Sequence, residues 1–551
     1  MNFEQVTKKA YFQYHFRADA PCVRVTVAAA PEVDVSEQVT LFKKWSEKDG
    51  RHRRVITGGS FGYYDLEPLV IIEKPGRSTI LYPHVTANLA FELIPDCIEG
   101  DDPRPDLALC LLGGEEIRGI PTCQALPMFS LQKRVALRNC GRVDPENIDS
   151  YIAGCGGYAG LSGALDMSPF DVMEEVRRSR LRDRRDGQPT VEKWKIVRDA
   201  GKDEKYVICS AVDSDAQART ARLLLQSDPH TVLEGMLITA NAVAASRCIV
   251  VVPSGDDDTL KKLRKALVQM RDYDLVGEDI LGSGFSCDIE IREMAPSLLS
   301  GEESALLSWL AGGQPVPEPR NRPGMPPLLW GKPVIVNDAE TLANVAAFLQ
   351  RGAAWFAGIG TTASAGSKVI DLAGEMVHQY TVEVPFGTTL SDVVRQIGGV
   401  SAGEPIKAVQ FGGPTGSFFS ADDSGLTIDY GNLDVTGSTM GSGRISVIAH
   451  DACAVEMTEH VMSYLQTQSC GKCVFCREGT LQISEILEDV ARGEGRPQDI
   501  DLLTELGEAM RAPSLCGLGR NASNPVLSSI RLFRHEYDAH IKQKKCTQGH
   551  D

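Results

Sequence analysis

The chain has 551 residues, with 74 Asp and Glu against 57 Lys and Arg and a formal net charge of −17. That length exceeds what one hydrophobic core organises, so about three to five domains are expected, and the acidic excess excludes a phosphate-binding nucleic-acid surface. No window reaches the roughly eighteen apolar residues of a membrane span, and the first sixteen residues, MNFEQVTKKAYFQYHF, lack the apolar run of an export signal, so a cytoplasmic protein without a membrane span is expected.

In chain order, CVRVTVAAA from Cys22, a polar helix over 39–45, and the segments RVITGGSFGYYDLEP, LVIIEK and STILYPHV predict a small α/β domain over residues 1–105. The break DDPRPD at 101–106 closes it. Over 106–375 amphipathic and buried patterns alternate: SPFDVMEEVRRSRL, the strand KYVICSAV, the core helix TVLEGMLITANAVAAS and the strand CIVVVPS predict a second α/β domain. A Pro-rich loop, EPRNRPGMPPLLWGKP, covers its end. YTVEVPFGTTLSDVVRQI, AVQFGGPTG and LTIDYG predict a compact β-rich insert over 376–450. Four amphipathic helices follow, a bundle over 451–541 with a tail at 542–551.

Fifteen cysteines in a chain without an export signal point to thiols or metal ligands rather than a disulfide framework. Cys97, Cys110, Cys123, Cys155, Cys248 and Cys287 stand singly among apolar or small neighbours and read as buried thiols. Cys470, Cys473 and Cys476, in SCGKCVFCREGT, differ. Their C-x2-C-x2-C spacing sets three thiolates on one tight loop that can wrap three corners of a [4Fe-4S] cluster, and Cys516, in RAPSLCGLGRNA, is the natural fourth ligand. On spacing alone, a four-thiolate zinc site is the alternative. Lys472 and Arg477 can offset the charge of a thiolate-bound cluster. Cys453 in HDACAVEM, with His540, Cys546 and His550 in HIKQKKCTQGHD, forms a candidate zinc set; the alternative is a buried Cys453 and a frayed tail. His230 reads as a capping or core histidine.

SCGKCVFCREGT followed by PSLCGLGRNASNPVLSSIRLFRHEYDAHI closely resembles the cluster-binding bundle of the NADH-binding flavoprotein subunit of respiratory complex I. The likeness is closer still to the related subunit of soluble NAD-dependent and electron-bifurcating hydrogenases and formate dehydrogenases. RNCGRVDPENIDSYIAGCGGYAGL, SDPHTVLEGMLITANAVAAS, GEESALLSWL, LWGKPVIVNDAETLANV and AVQFGGPTGSF extend it over most of the chain. The resemblance implies an α/β multidomain fold: a thioredoxin-like domain, a flavin-binding α/β domain, a β-grasp (SLBB-like) insert and a four-helix iron-sulfur bundle. It implies one [4Fe-4S] cluster on Cys470, Cys473, Cys476 and Cys516, and a flavin site that includes Lys193, Gly301, Glu302, Glu303 and Asn337. The implied partners are other iron-sulfur redox subunits of one complex, with a second, intact flavoprotein subunit as a further candidate.

Departures from the family pattern carry their own expectations. Ser60 and Tyr64 replace two cysteines of the family's N-terminal cluster loop, and only Cys22 remains of the other pair, so no [2Fe-2S] cluster is expected there and the domain becomes a packing module. In relatives a G-R-G-G-A-G-F-P-T-G loop brings backbone amides against the flavin and its phosphate. Here the stretch is RLRDRRDGQPTVEKW, with Asp183, Arg185 and Asp186 where glycines stand, although Gly187, Pro189, Thr190, Lys193 and Trp194 match. The family's N-A-D-E-G-x-P-G segment becomes SAVDSDAQ over 210–217, its G-A-G-A becomes MAPS over 294–297, and a paired Asn becomes Asn337-Asp338. An added carboxylate repels a phosphate dianion unless a cation such as Arg182, Arg184 or Arg185 intervenes. FMN is therefore doubtful. The expected function is an iron-sulfur electron-transfer or scaffold subunit whose NADH/FMN site has been lost; the alternative is an active FMN-containing NADH dehydrogenase module.

Overall fold

The computed structural model describes residues 1–14, 23–47, 53–201, 204–212, 215, 217–319, 324–400, 405–420 and 425–549. The first sheet runs β2-β1-β3-β4-β5, from β1 (Val23–Ala28), β2 (Arg53–Gly58), β3 (Leu69–Glu73), β4 (Thr79–Tyr82) and β5 (Cys110–Gly113). Only β1 and β2 are parallel. The expected polar helix spans Ser36–Ser46 and buries Phe42 and Trp45 against this sheet. Because β5 pairs with β4, the sheet continues beyond the break at 101–106. The first helix, Phe3–Tyr14, turns away from it and buries Val6, Ala10 and Tyr14 in the core of the following domain.

Two of the expected free thiols are corrected: Cys110 and Cys123 are joined in a disulfide with Cα atoms 5.2 Å apart. The chain loops round after β5, and the parallel bridge between Leu111 and Thr122 brings Cys123 within reach of Cys110. Local apolar context carries no trace of that return.

Around Ser60 and Tyr64, a polar network orders the first domain and ties it to its neighbours. Ser60 Oγ donates to Glu67 at 2.5 Å, and the same buried carboxylate accepts from Ala30 N at 2.5 Å and Phe61 N at 3.1 Å. Tyr64 lies against Thr381 Oγ1 at 3.1 Å, with Arg219 stacked 4.3 Å above its ring.

The second sheet runs β8-β7-β6-β10-β9: β6 (Tyr206–Ser210), β7 (Arg247–Pro253), β8 (Asp288–Met294), β9 (Leu328–Leu329) and β10 (Lys332–Asp338). The four strands from β8 to β10 are parallel. The apolar, buried runs of β6, β7 and β10 are what a sheet covered by helices on both faces requires, whereas β8, at the edge, alternates polar and apolar residues. The helix Pro229–Val243 is buried almost throughout and starts on Asp228, whose side chain accepts from Thr231 N. Gly235 lets it touch the helix Ala339–Arg351: a Cβ there would lie 2.0 Å from Leu342 O. Since β7 and β8 lie on one side of β6 and β10 on the other, the carboxyl ends of β6 and β10 flank a crevice at a topological switch point.

The third sheet runs β12-β11-β15-β13-β14, from β11 (Ser367–Gly374), β12 (Thr381–Pro385), β13 (Ile406–Phe411), β14 (Ser417–Ser420) and β15 (Arg444–Ala449). It begins at Ser367, ahead of residue 376. Glu383, fully buried on β12, accepts from Val135 N at 2.7 Å, Ala136 N at 3.0 Å and Leu137 N at 2.9 Å, which clamps this sheet to the central domain. The terminal helices Ala454–Thr467, Val474–Ala491, Asp499–Arg511 and Asn524–Gln543 close around Met462, Leu465, Ile483, Leu487, Leu503 and Tyr537. Among the described residues, no helix is long and apolar enough to cross a membrane.

Candidate functional site

Cys470, Cys473, Cys476 and Cys516 come together around one small cavity, walled also by Leu299 and Leu518. Cys473 is the residue before the helix Val474–Ala491, and Cys516 the residue before the short helix Gly517–Asn521. Gly471, at φ 77°, makes the turn between Cys470 and Cys473. Gly519 is sterically required, since a Cβ there would stand 2.7 Å from Ser514 Cβ and 3.2 Å from Cys476 Cβ. Burial raises the Cys476 thiol and pushes Cys516 up to about 11, with a hydrogen bond from the Gly519 amide opposing it. Four soft donors around an apolar hollow, with a backbone amide aimed at one sulfur, fit a thiolate-bound iron-sulfur cluster.

The two neighbouring cations are engaged elsewhere. Lys472 Nζ donates to Pro317 O at 2.8 Å and pairs with Glu318 at 2.9 Å. Arg477 donates to Gly471 O at 2.6 Å and pairs with Glu478 at 2.9 Å, so it holds the cysteine loop in shape.

At the crevice, the glycine-poor loop closes on itself between the bridged residues Arg182 and Pro189. Asp183 N donates to Gln188 O at 2.8 Å, Arg184 N to Thr341 Oγ1 at 2.8 Å, and Arg185 N to Asp183 Oδ1 at 3.1 Å. Asp186 N reaches Asp183 Oδ1 at 3.4 Å, Gly187 N donates to Asp183 O at 2.9 Å, and Gln188 N to Asp186 Oδ1 at 2.9 Å. Every amide from 183 to 188 is thus spent inside the protein.

The Asp183 carboxylate, fully buried, also accepts from Lys193 Nζ at 2.9 Å and Asn337 Nδ2 at 2.7 Å. Burial alone would raise its pKa, but the Lys193 ammonium, the Arg185 guanidinium and these hydrogen bonds outweigh it and hold the group well below the usual carboxylate range. Lys193 pairs further with Asp186 at 3.0 Å, and Arg185 donates to Gly301 O at 3.1 Å and pairs with Glu303 at 3.2 Å. Glu302 caps the helix Glu303–Leu310, accepting from Ala305 N at 2.8 Å. Lys193, Gly301, Glu302, Glu303 and Asn337 therefore do meet, each already partnered. Next to them Asp338, pushed up to about 6 by burial and by the charges of Asp183 and Glu340, caps the helix Ala339–Arg351.

Of the three arginines expected to face an anion, Arg184 is buried and donates to Arg182 O and Ala365 O, and Arg182 donates to Ala363 O and Gly187 O. Arg185 and Lys193 line a cavity of about 880 Å³ between the loop, the helix Glu303–Leu310, Gly412 and Gly441 in the turns of the third sheet, and Leu518 two residues after Cys516. Of the segment 210–217, Asp213, Ser214 and Ala216 lie outside the described residues. Ser210 Oγ there is buried without a hydrogen-bond partner, and Asp215 faces Ser442 Oγ at 3.4 Å.

At the other end of the bundle, Cys453 Sγ lies 3.2 Å from His540 Nε2, and the ligand atoms of Cys453, His540 and Cys546 all fall within 4.8 Å of one another. Burial pushes the Cys453 thiol up to about 12. His550 lies outside the described residues. His230 is a core residue: it is buried against Tyr158 OH at 2.8 Å, and burial lowers it to about 3. Glu383 was not legible in the sequence, because its partners Val135, Ala136 and Leu137 are remote from it along the chain.

The family model for the NADH-ubiquinone oxidoreductase-F iron-sulfur binding region matches residues 456–540, and that for the Nuo51 FMN-binding domain matches residues 176–347. The chain is 42% identical over 419 residues to the NADP-reducing hydrogenase subunit HndC of Solidesulfovibrio fructosivorans, across 75% of this chain and 85% of that one. It is 32% identical over 394 residues to the F subunit of the NADH-quinone oxidoreductase of Escherichia coli, across 70% of this chain and 88% of that one. Among solved structures, a chain of an NAD+-reducing [NiFe]-hydrogenase in the H2-reduced state superposes with a TM-score of 0.65 at 25% identity, covering 98% of this chain and 87% of that chain. The match to an FMN-binding domain gives no support to the expectation that FMN is doubtful.

Proposed function

The chain belongs to the family of NADH-binding flavoprotein subunits of the NADH-quinone oxidoreductases and related hydrogenases, and on that premise we propose that it acts as an iron-sulfur electron-transfer and scaffold subunit of a multisubunit oxidoreductase, with its own NADH/FMN site closed. The observation that carries the first half is the convergence of Cys470, Cys473, Cys476 and Cys516 on one apolar cavity. A [4Fe-4S] cluster held there would supply one-electron transfer. The four side chains would bind it, Gly519 N–H would hydrogen-bond the Cys516 sulfur, and Leu299 and Leu518 would exclude water.

The second half rests on the loop. A phosphate needs free donors, and the amides of 183–188 are already bonded while Asp183 and Asp186 present like charge. As it stands, this loop does not fit a flavin phosphate. The Ser60–Glu67 network supports a thioredoxin-like first domain that packs without a [2Fe-2S] cluster. The third sheet would be the β-grasp insert, and Cys453, His540, Cys546 and the distal His550 a structural zinc set. The partners would be other iron-sulfur subunits and a second, intact flavoprotein subunit.

One observation favours the alternative, an FMN-containing NADH dehydrogenase module: the cavity of about 880 Å³ stays open beside Glu302, Glu303 and the cluster loop. Flavin and iron content of the anaerobically purified chain separates the two. About four irons without flavin is expected. Stoichiometric FMN, reducible by NADH, would establish the alternative and sink the closed-site reading.

A further inference from the structure

Four donors from three parts of the chain converge on one carboxylate. Asp183 accepts from Lys193 Nζ at 2.9 Å, Asn337 Nδ2 at 2.7 Å, Arg185 N at 3.1 Å and, more loosely, Asp186 N at 3.4 Å. An ammonium, a carboxamide and two backbone amides are what a protein assembles around an anionic ligand.

The cage is braced from behind by groups that do not depend on Asp183. Trp194 Nε1, which can only donate, bonds Asn337 Oδ1 at 3.1 Å, so the Asn337 amide must turn its Nδ2 toward the seat. Lys193 Nζ is anchored on Val336 O at 3.2 Å. The backbone of Asp183 is fixed independently of its side chain: its N–H donates to Gln188 O at 2.8 Å, and its carbonyl accepts from Gly187 N at 2.9 Å and Tyr430 OH at 3.2 Å. Removing the side chain would leave the donors in place, aimed at an empty seat. Arg185, Asp186 and Lys193 also line the large cavity, so a ligand anchored there has room for its body.

We infer that the Asp183 carboxylate is a resident anion plugging a latent phosphate site, and that emptying this seat creates a binding site for a phosphate monoester whose organic part occupies the adjoining cavity. The inference rests on the closed-site reading above and deepens it by naming the group that closes the site. Asp186, 3.0 Å from Lys193, is the second negative charge such a ligand would meet.

The test uses the full chain with its cluster and titrates FMN and riboflavin by flavin fluorescence against wild type, Asp183→Asn and Asp183→Gly/Asp186→Asn. Riboflavin differs from FMN only in lacking the phosphate. The double variant is expected to prefer FMN to riboflavin by at least about tenfold, the worth of one charge-assisted hydrogen bond, with inorganic phosphate competing. Wild type and Asp183→Asn, whose seat stays filled, should show no such preference. A double variant that keeps its cluster absorbance yet binds both flavins alike overturns the inference while the closed-site reading stands. Wild type binding both flavins equally tightly defeats the closed-site reading alone, and wild type preferring FMN as strongly as the variant defeats both. Should the double variant lose its cluster, Asp183→Ala replaces it, with thermal stabilisation by inorganic phosphate as readout: stabilisation absent from wild type supports the inference, and its absence from Asp183→Ala counts against it.

Discussion

The Lys193 ammonium lies 2.9 Å from the buried carboxylate of Asp183, in a loop where glycine would leave both the charge and the space free. Asp183 is held below its unfolded pKa, so its contribution to stability is complete above the unfolded carboxylate value of about 4 and is lost as pH falls through the lower folded value. Lys193→Met removes the counter-charge and lets burial prevail. The variant should lose about 3 kcal/mol near neutral pH, and the deficit should shrink toward pH of about 4 as Asp183 takes up a proton. Urea midpoints of both proteins at the two pH values measure this. An equal deficit at both would show that the ammonium is not the partner that matters.

Cys470→Ala should abolish iron binding while the chain still assembles with its partner subunits, because Ile483, Leu487 and Leu503 hold the bundle core independently of the ligand loop. Loss of activity in the assembled complex would mark an electron relay; retained activity would mean a scaffold. Gly519→Ala offers a milder probe. Its methyl group would press on Ser514 and Cys476, so iron content should fall with no ligand removed. Full iron occupancy in that variant would contradict the placement of Gly519 against the cluster loop.

Metal analysis of the wild-type chain should find about one zinc besides iron, and Cys453→Ser should remove the zinc and leave the iron. The geometry behind this is the approach of Cys453, His540 and Cys546 within 4.8 Å. Zinc binding would require Cys453 to release a proton that burial makes it hold tightly, so affinity should rise steeply with pH. A wild-type chain with iron and no zinc would dismiss the site.

Alkylation of the denatured chain before and after reduction should differ by two thiols, assigned by mass spectrometry to Cys110 and Cys123. With a sequence separation of 13 between the two cysteines, the bridge should stabilise the first domain by about 3 kcal/mol. Complete alkylation of both without reductant would remove the disulfide from the account.

The outline of the fold was legible because local patterns report it. Unbroken apolar runs such as CIVVVP announce parallel strands buried on both faces, and 3.6-residue periodicity announces the bundle. Domain limits were less legible. Strands β5 and β11 each cross an expected boundary, since sheet membership follows pairing and a turn-rich break such as 101–106 can lie within one sheet.

What the sequence determined by itself was the gathering of Cys470, Cys473 and Cys476: three cysteines with two residues between neighbours must share a loop, and a short backbone cannot carry their sulfurs far from one another. It also announced the carboxylates that stand in place of loop glycines. Only the tertiary structure decided what those carboxylates do. Asp183 meets Asn337 across 154 residues, and Glu383 meets the amide of Val135 across 248. Such pairings arise where distant segments pack and buried polar groups must find partners, a demand of the whole core that no local periodicity encodes.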